Sequence, residues 1–106
     1  NYQNILFSNF FFRSSTKIYL KKFLEFEKKQ KSDLIEIHNR PQYINYIYKI
    51  NKNIVLYFHN DPLSMRYSKK IKDRINIVNR TQKIIFNSKW TQDQFIKDMP
   101  KKLYHK

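Results

Sequence analysis

Five consecutive apolar residues, Ile54-Val55-Leu56-Tyr57-Phe58, stand between the polar triplet Asn51-Lys52-Asn53 and the polar stretch His59-Asn60-Asp61-Pro62. A short run that is apolar at every position and rich in β-branched and aromatic residues reads as a central strand of a parallel sheet, covered on both faces. Its neighbours in sequence fit the same plan. Leu34-Ile35-Glu36-Ile37 is a second strand pattern, ending in His38-Asn39, and Lys83-Ile84-Ile85-Phe86 is a third, ending in Asn87-Ser88. Between them lie stretches of helical period, and strands alternating with helices predict an α/β fold with crossover helices.

Local signals mark the helices. Pro41 suits a first turn, where its missing N–H is not needed, and Tyr43, Ile44, Ile47 and Tyr48 follow at helical spacing. After a polar loop over residues 61–67, Ser68 is the expected N-cap of a helix whose buried face carries Ile71, Ile75 and Val78. Thr91 and Gln94 form a capping-box pattern with Trp90 and Phe95 as its staple, so the last helix is expected to start near Thr91, carry Phe95, Ile96 and Met99, and stop at Pro100. Upstream, Ser14 or Ser15 would cap a helix running to Gln30 with Tyr19, Leu20, Phe23, Leu24 and Phe26 on its apolar side. Residues 1–12, aromatic and apolar but aperiodic, fit a strand, a short helix or an ordered lead-in equally well. The expected organisation is one partial domain: lead-in and helix over 1–31, a βαβαβα core over 32–99 and a tail over 100–106. Three short strands cannot bury both faces of a sheet, so further strands are expected on chain outside these 106 residues, which read as a fragment of marginal stability.

Charge narrows the partners less than it first suggests. Twenty-two Lys and Arg against eight Asp and Glu give a formal charge of +14, which raises nucleic acid or an anionic membrane surface as a partner. Yet Lys, Asn, Ile, Tyr and Phe supply 59 of 106 residues while Gly and Ala are absent, a composition that A/T-rich codons alone would generate. Seventeen of the cations are Lys, spread along the chain, whereas base-reading modules concentrate Arg. A generic basic surface is the first reading, attraction to a membrane surface through Lys21, Lys22, Lys28, Lys29 and Lys31 the second, and nucleic acid the least favoured. No cysteine is present and the three histidines are not at helical ligand spacing, so neither a metal site nor a disulfide is expected. No apolar run approaches membrane-spanning length.

In open α/β sheets ligands bind beyond the carboxyl ends of the strands. The three predicted strands end in His38-Asn39-Arg40, His59-Asn60-Asp61 and Asn87-Ser88-Lys89, which should share one edge. Each alone reads as an ordinary turn, since Asn, Asp and Ser favour turns and caps; together, with two histidines, they form the candidate site. No partner carboxylate stands at the other tips to make Asp61 a nucleophile or metal ligand, and without glycine no phosphate-cradling loop is possible.

The stretch Asp33-Leu34-Ile35-Glu36-Ile37-His38-Asn39-Arg40-Pro41, then Tyr57-Phe58-His59-Asn60-Asp61-Pro62-Leu63-Ser64-Met65-Arg66, then Ile84-Ile85-Phe86-Asn87-Ser88-Lys89-Trp90, resembles the N-terminal domain of family-four glycosyltransferases over residues 32–99. The resemblance implies a GT-B enzyme: two Rossmann-like domains across a cleft, transferring a sugar from a nucleotide-sugar to a glycan, lipid or small-molecule acceptor, without a metal or other cofactor. This chain would be part of the N-terminal, acceptor-side domain, inactive without the donor-binding C-terminal domain, and cytoplasmic or at the inner face of the membrane. By family position His59 lies in the cleft beside the donor sugar and is the catalytic candidate, while Asn60, Asp61, Arg66, His38, Asn39 and Arg40 face the acceptor. Ser88 and Lys89 would cap the last helix. The family's glycine-rich loop is missing. The rival reading is a non-enzymatic basic α/β module that binds an anionic surface, membrane or nucleic acid.

Overall fold

The computed structural model describes residues 2–5 and 13–103. Four strands, β1 (Tyr2–Ile5), β2 (Leu34–His38), β3 (Ile54–Phe58) and β4 (Lys83–Phe86), form one sheet in the order β1-β2-β3-β4, every neighbouring pair parallel. Four helices follow them in turn: α1 (Arg13–Lys29), α2 (Ile44–Tyr48), α3 (Ile71–Arg80) and α4 (Lys89–Ile96). The three strands read from sequence are present, and the undecided lead-in supplies the fourth; residues 1 and 6–12 lie outside the described residues. No helix among the described residues is long and apolar enough to cross a membrane.

Because the strands are laid down in one direction across the sheet, right-handed crossovers put successive helices on the same face. The core agrees. Its strand members are Ile35, Ile37, Ile54, Leu56 and Phe58, all placed on one face of the sheet by the register, packed with Leu20 and Phe23 of α1, Ile44 and Ile47 of α2, Ile77 of α3 and Phe95 of α4. Glu36, His38, Val55 and Tyr57 point to the opposite face, because successive strand residues alternate. Val55 is buried but outside the core cluster, and Tyr57 is only half-buried. The expectation that Ile54–Phe58 is covered on both faces therefore holds for the helix side alone, and the second face carries the polar side chains described below.

Several caps differ from expectation. The helix predicted to start at Ser14 or Ser15 begins at Arg13, and its Phe26, expected on the apolar side, is 48% exposed. Pro41 opens a 3-10 turn, Pro41–Tyr43, before α2 proper. Ser68 caps nothing: it is buried and its hydroxyl donates to the Pro62 carbonyl at 2.6 Å, while Lys70 occupies the N-cap of α3 without a side-chain bond. On α3 the residues buried against the core are Arg74 and Ile77; Ile75 and Val78 are partly buried and Ile71 is 38% exposed. α4 starts two residues earlier than the capping-box pattern suggested, because Ser88 is extended and its hydroxyl accepts the Thr91 amide at 3.1 Å. Trp90 is 58% exposed and staples nothing. The helix also ends at Ile96, before Pro100; Asp98 takes a positive φ of 63° and returns Met99 to the core outside the helix.

Two buried polar groups fix the connections. At the amino edge the Glu27 carboxylate, fully buried at the end of α1, accepts the Ser32 amide (2.7 Å), the Ser32 hydroxyl (2.8 Å) and the Asn51 amide (2.8 Å). On the helix side Arg74, 3% exposed, donates to the carbonyls of Ser68, Lys69 and Lys97, tying the loop after β3 to the end of α4. Its Nε finds no partner, and burial draws its pKa below the ordinary guanidinium value against the opposing charges of Asp98 and Asp73.

Candidate functional site

Parallel register brings the tips of β2, β3 and β4 to one edge, as expected, and side chains lock them together. Asn39, directly after β2, adopts a left-handed φ of 56°, a region that asparagine tolerates better than most residues. From there its Oδ1 accepts the His59 amide at 2.7 Å and its Nδ2 donates to Asn60 Oδ1 at 2.6 Å. The Asn87 side chain, after β4, donates to the His59 carbonyl at 2.9 Å. The His59 backbone is thus held by both neighbouring strand tips while its side chain stays exposed.

His38 and His59 share the face opposite the core. Nδ1 of His38 lies 2.9 Å from Nε2 of His59, and the ring planes are 13° apart with centroids 5.1 Å apart. That spacing suits two rings lying side by side and joined by an in-plane hydrogen bond. The face-to-face contact is instead between His38 and Tyr57, which are register partners: 4.3 Å between centroids and 5° between planes. Glu36, two residues before His38 and so on the same face, places Oε1 3.4 Å from His38 Nε2, and the Tyr57 hydroxyl reaches Glu36 Oε2 at 3.4 Å. Burial raises the Tyr57 phenol above its ordinary pKa, and the charge and hydrogen bond of Glu36 push it the same way.

The predicted site residues therefore separate into two sets. His38, Asn39, His59 and Asn60 meet in one hydrogen-bonded cluster. Arg40 is half-buried and donates back to the Asn39 carbonyl at 3.0 Å. Asp61 caps the 3-10 turn Pro62–Ser64 by accepting the Leu63 amide at 3.0 Å, and Arg66 is exposed with its guanidinium 5.5 Å above the Tyr67 ring. Neither bonds to the cluster. Ser88 caps α4, as expected.

Two side chains of this cluster escaped the sequence reading. Glu36 is not at a strand tip and does not pair with Asp61: it lies two positions back, inside an apolar run, and period 2 aims it at the same face as His38. Tyr57 stands in the same relation to His59. A charged residue in the middle of a buried strand was the available signal. Among the described residues no group of three or more His, Cys, Asp or Glu side chains is placed to hold a metal ion.

The Asn39 clamp carries a prediction. Asn39→Ala removes the acceptor of the His59 amide and the donor to Asn60 and puts a β-carbon residue without a local polar group at positive φ. It is expected to destabilise the chain by about 1–3 kcal/mol in urea unfolding and to broaden the His59 resonances, whereas Asn60→Ala should change stability by less than about 1 kcal/mol.

Comparison with protein-family models, with curated proteins and with solved structures finds no match.

Proposed function

We propose that this chain is part of the acceptor-side domain of a glycosyltransferase of the GT-B type, with His59 in the cleft where sugar is transferred. What supports the reading is one juxtaposition: an exposed imidazole at the carboxyl edge of a parallel sheet, its backbone gripped by the tips of both flanking strands, at the position that the family resemblance marks as catalytic. Side chains that orient a reacting group are most effective when other contacts fix them, and His59 is fixed in this way.

The open edge of β4 fits a partial domain. Val78, Ile84, Phe86, Phe95, Ile96 and Leu103, together with the polar Thr81, Gln82, Lys83 and Gln92, line a groove beside it, and a further strand would pair with the open edge. In the proposed enzyme the second domain supplies the nucleotide-binding groups, and closure brings the donor sugar against His59. Asn60, beside it and exposed, and Arg40, at the tip of β2, are the neighbouring groups for an acceptor; Asp61 serves the loop.

The test is turnover by the longest chain that the gene encodes, offered a panel of nucleotide-sugars with and without glycan and lipid acceptors. Release of nucleotide from at least one donor, stimulated by an acceptor, is the expected result. A full-length chain that is folded yet neither binds nor turns over any donor would overturn the reading.

A further inference from the structure

We propose that Glu36 and His38 are positioning residues that fix His59 in a single neutral tautomer, with its proton on Nε2 and an open lone pair on Nδ1. The exposed edge of the ring then accepts a hydrogen bond from a ligand hydroxyl.

The direction follows from counting donors. An ionised carboxylate has only acceptors, so the ring nitrogen facing Glu36 Oε1 at 3.4 Å, His38 Nε2, carries a hydrogen. In a neutral imidazole the other nitrogen, His38 Nδ1, is then an acceptor. It lies 2.9 Å from His59 Nε2, which must donate, and that leaves His59 Nδ1 as the acceptor. The opposite polarity would aim the lone pair of His38 Nε2 at a carboxylate. At 3.4 Å the Glu36 contact is long for a hydrogen bond, so its charge directs the ring more than its bond strength does. Tyr57 holds the assembly in plane, stacking on His38 and donating its hydroxyl to the other Glu36 oxygen.

Nδ1 of His59 makes no hydrogen bond among the described residues, and the side chain is exposed. It suits a ligand that offers O–H. A bound phosphate, having only acceptors when fully ionised, would need the protonated ring instead. Should a hydroxyl give up its proton, the proton goes to Nδ1, and Glu36 stabilises the imidazolium through His38, as a carboxylate does for a catalytic histidine. That the hydroxyl belongs to a sugar rests on the proposed function; the tautomer does not.

The experiment is long-range 1H–15N correlation of the histidine rings of the 106-residue chain at about pH 9, where imidazoles are neutral. It reads the protonated nitrogen through the carbon-bound protons and needs no donor or acceptor substrate. In the wild type His38 and His59 are each expected wholly as the Nε2–H form. Glu36→Val removes the directing carboxylate, and the proton at His59 should then spread over both nitrogens, as in a free histidine derivative measured alongside. A proton on His59 Nδ1 in the wild type would overturn the proposal without any variant. So would a single His59 tautomer that survives in a folded Glu36→Val. Either failure leaves the glycosyltransferase reading untouched, and absent turnover leaves the tautomer result standing.

Discussion

Glu27→Ala is expected to lower unfolding stability by about 3 kcal/mol, most of the margin of a domain near the low end of the usual 5–15 kcal/mol range. The carboxylate is fully buried and satisfies three donors, the Ser32 amide, the Ser32 hydroxyl and the Asn51 amide, at 2.7–2.8 Å. Removing it orphans the Ser32 amide and hydroxyl at once and leaves the Asn51 amide with only its second acceptor, the Ser32 carbonyl at 2.8 Å. Each buried unsatisfied donor costs about 1–3 kcal/mol, and water entering the vacated space recovers part of the total. The damage is also topological. Ser32 leads into β2, and Asn51 precedes β3 and accepts the Asn53 amide, so one carboxylate sets the entry of two strands. Glu25→Ala, an exposed position on the same helix, should change stability by less than about 0.5 kcal/mol in the same urea titration.

Phe58→Ala is the second large effect, about 3–5 kcal/mol. Phe58 is fully buried at the end of β3. Its ring lies 5.8 Å from that of its register partner Phe86 and 5.4 Å from Phe95, with Phe86 and Phe95 5.5 Å apart, so the three rings form one block between β3, β4 and α4. Loss of the central ring leaves a cavity that Phe86, already half-exposed at the sheet edge, can only partly fill. Because His59 follows directly, and the Phe58 carbonyl accepts the Asn87 amide, the tip should loosen even where the chain stays folded. Urea unfolding gives the energy, and near-ultraviolet circular dichroism reports the aromatic block. Phe26→Ala, on the exposed side of α1, should cost less than about 0.5 kcal/mol.

The contrast between Phe58 and Phe26 also shows which parts of the fold the sequence carries openly. Strands β2, β3 and β4 were legible because each is a short apolar run closed by polar residues, and parallel pairing then dictates that His38, His59 and Asn87 share an edge. Helix caps were less legible. Ser68 and Thr91 have the right side chains, yet a tertiary bond to the Pro62 carbonyl claims Ser68, and Ser88 caps α4 three residues before Thr91. The coverage of the sheet was hidden as well. A strand apolar at every position looks the same whether helices lie on both faces or one, and the one-directional strand order decides it.

For the site, the tips were visible but the division of labour was not. Asn39 looked like a ligand-facing polar residue and is a clamp, a role that depends on its positive φ. Asp61 looked like an acceptor contact and caps a turn. Glu36 looked like an irregularity in a strand and faces His38. For Asn39 the role is set by a partner twenty residues away and by its own positive φ, neither of which is written in spacing along the chain; for Asp61 and Glu36 the partner is two residues on, and only the local geometry tells a cap or a face-sharing pair from a ligand contact.

Glycosyl transfer at the cluster around His59 is the proposed function. Its most direct test compares wild type and His59→Ala, in the longest chain the gene encodes, for acceptor-dependent release of nucleotide from a nucleotide-sugar. The expected result is a fall in kcat/KM of about a hundredfold or more, with stability lowered by less than about 1 kcal/mol, because the clamp grips the His59 backbone and the ring's one hydrogen bond, to His38, is exposed. A folded His59→Ala enzyme that transfers sugar within about threefold of wild type would contradict it.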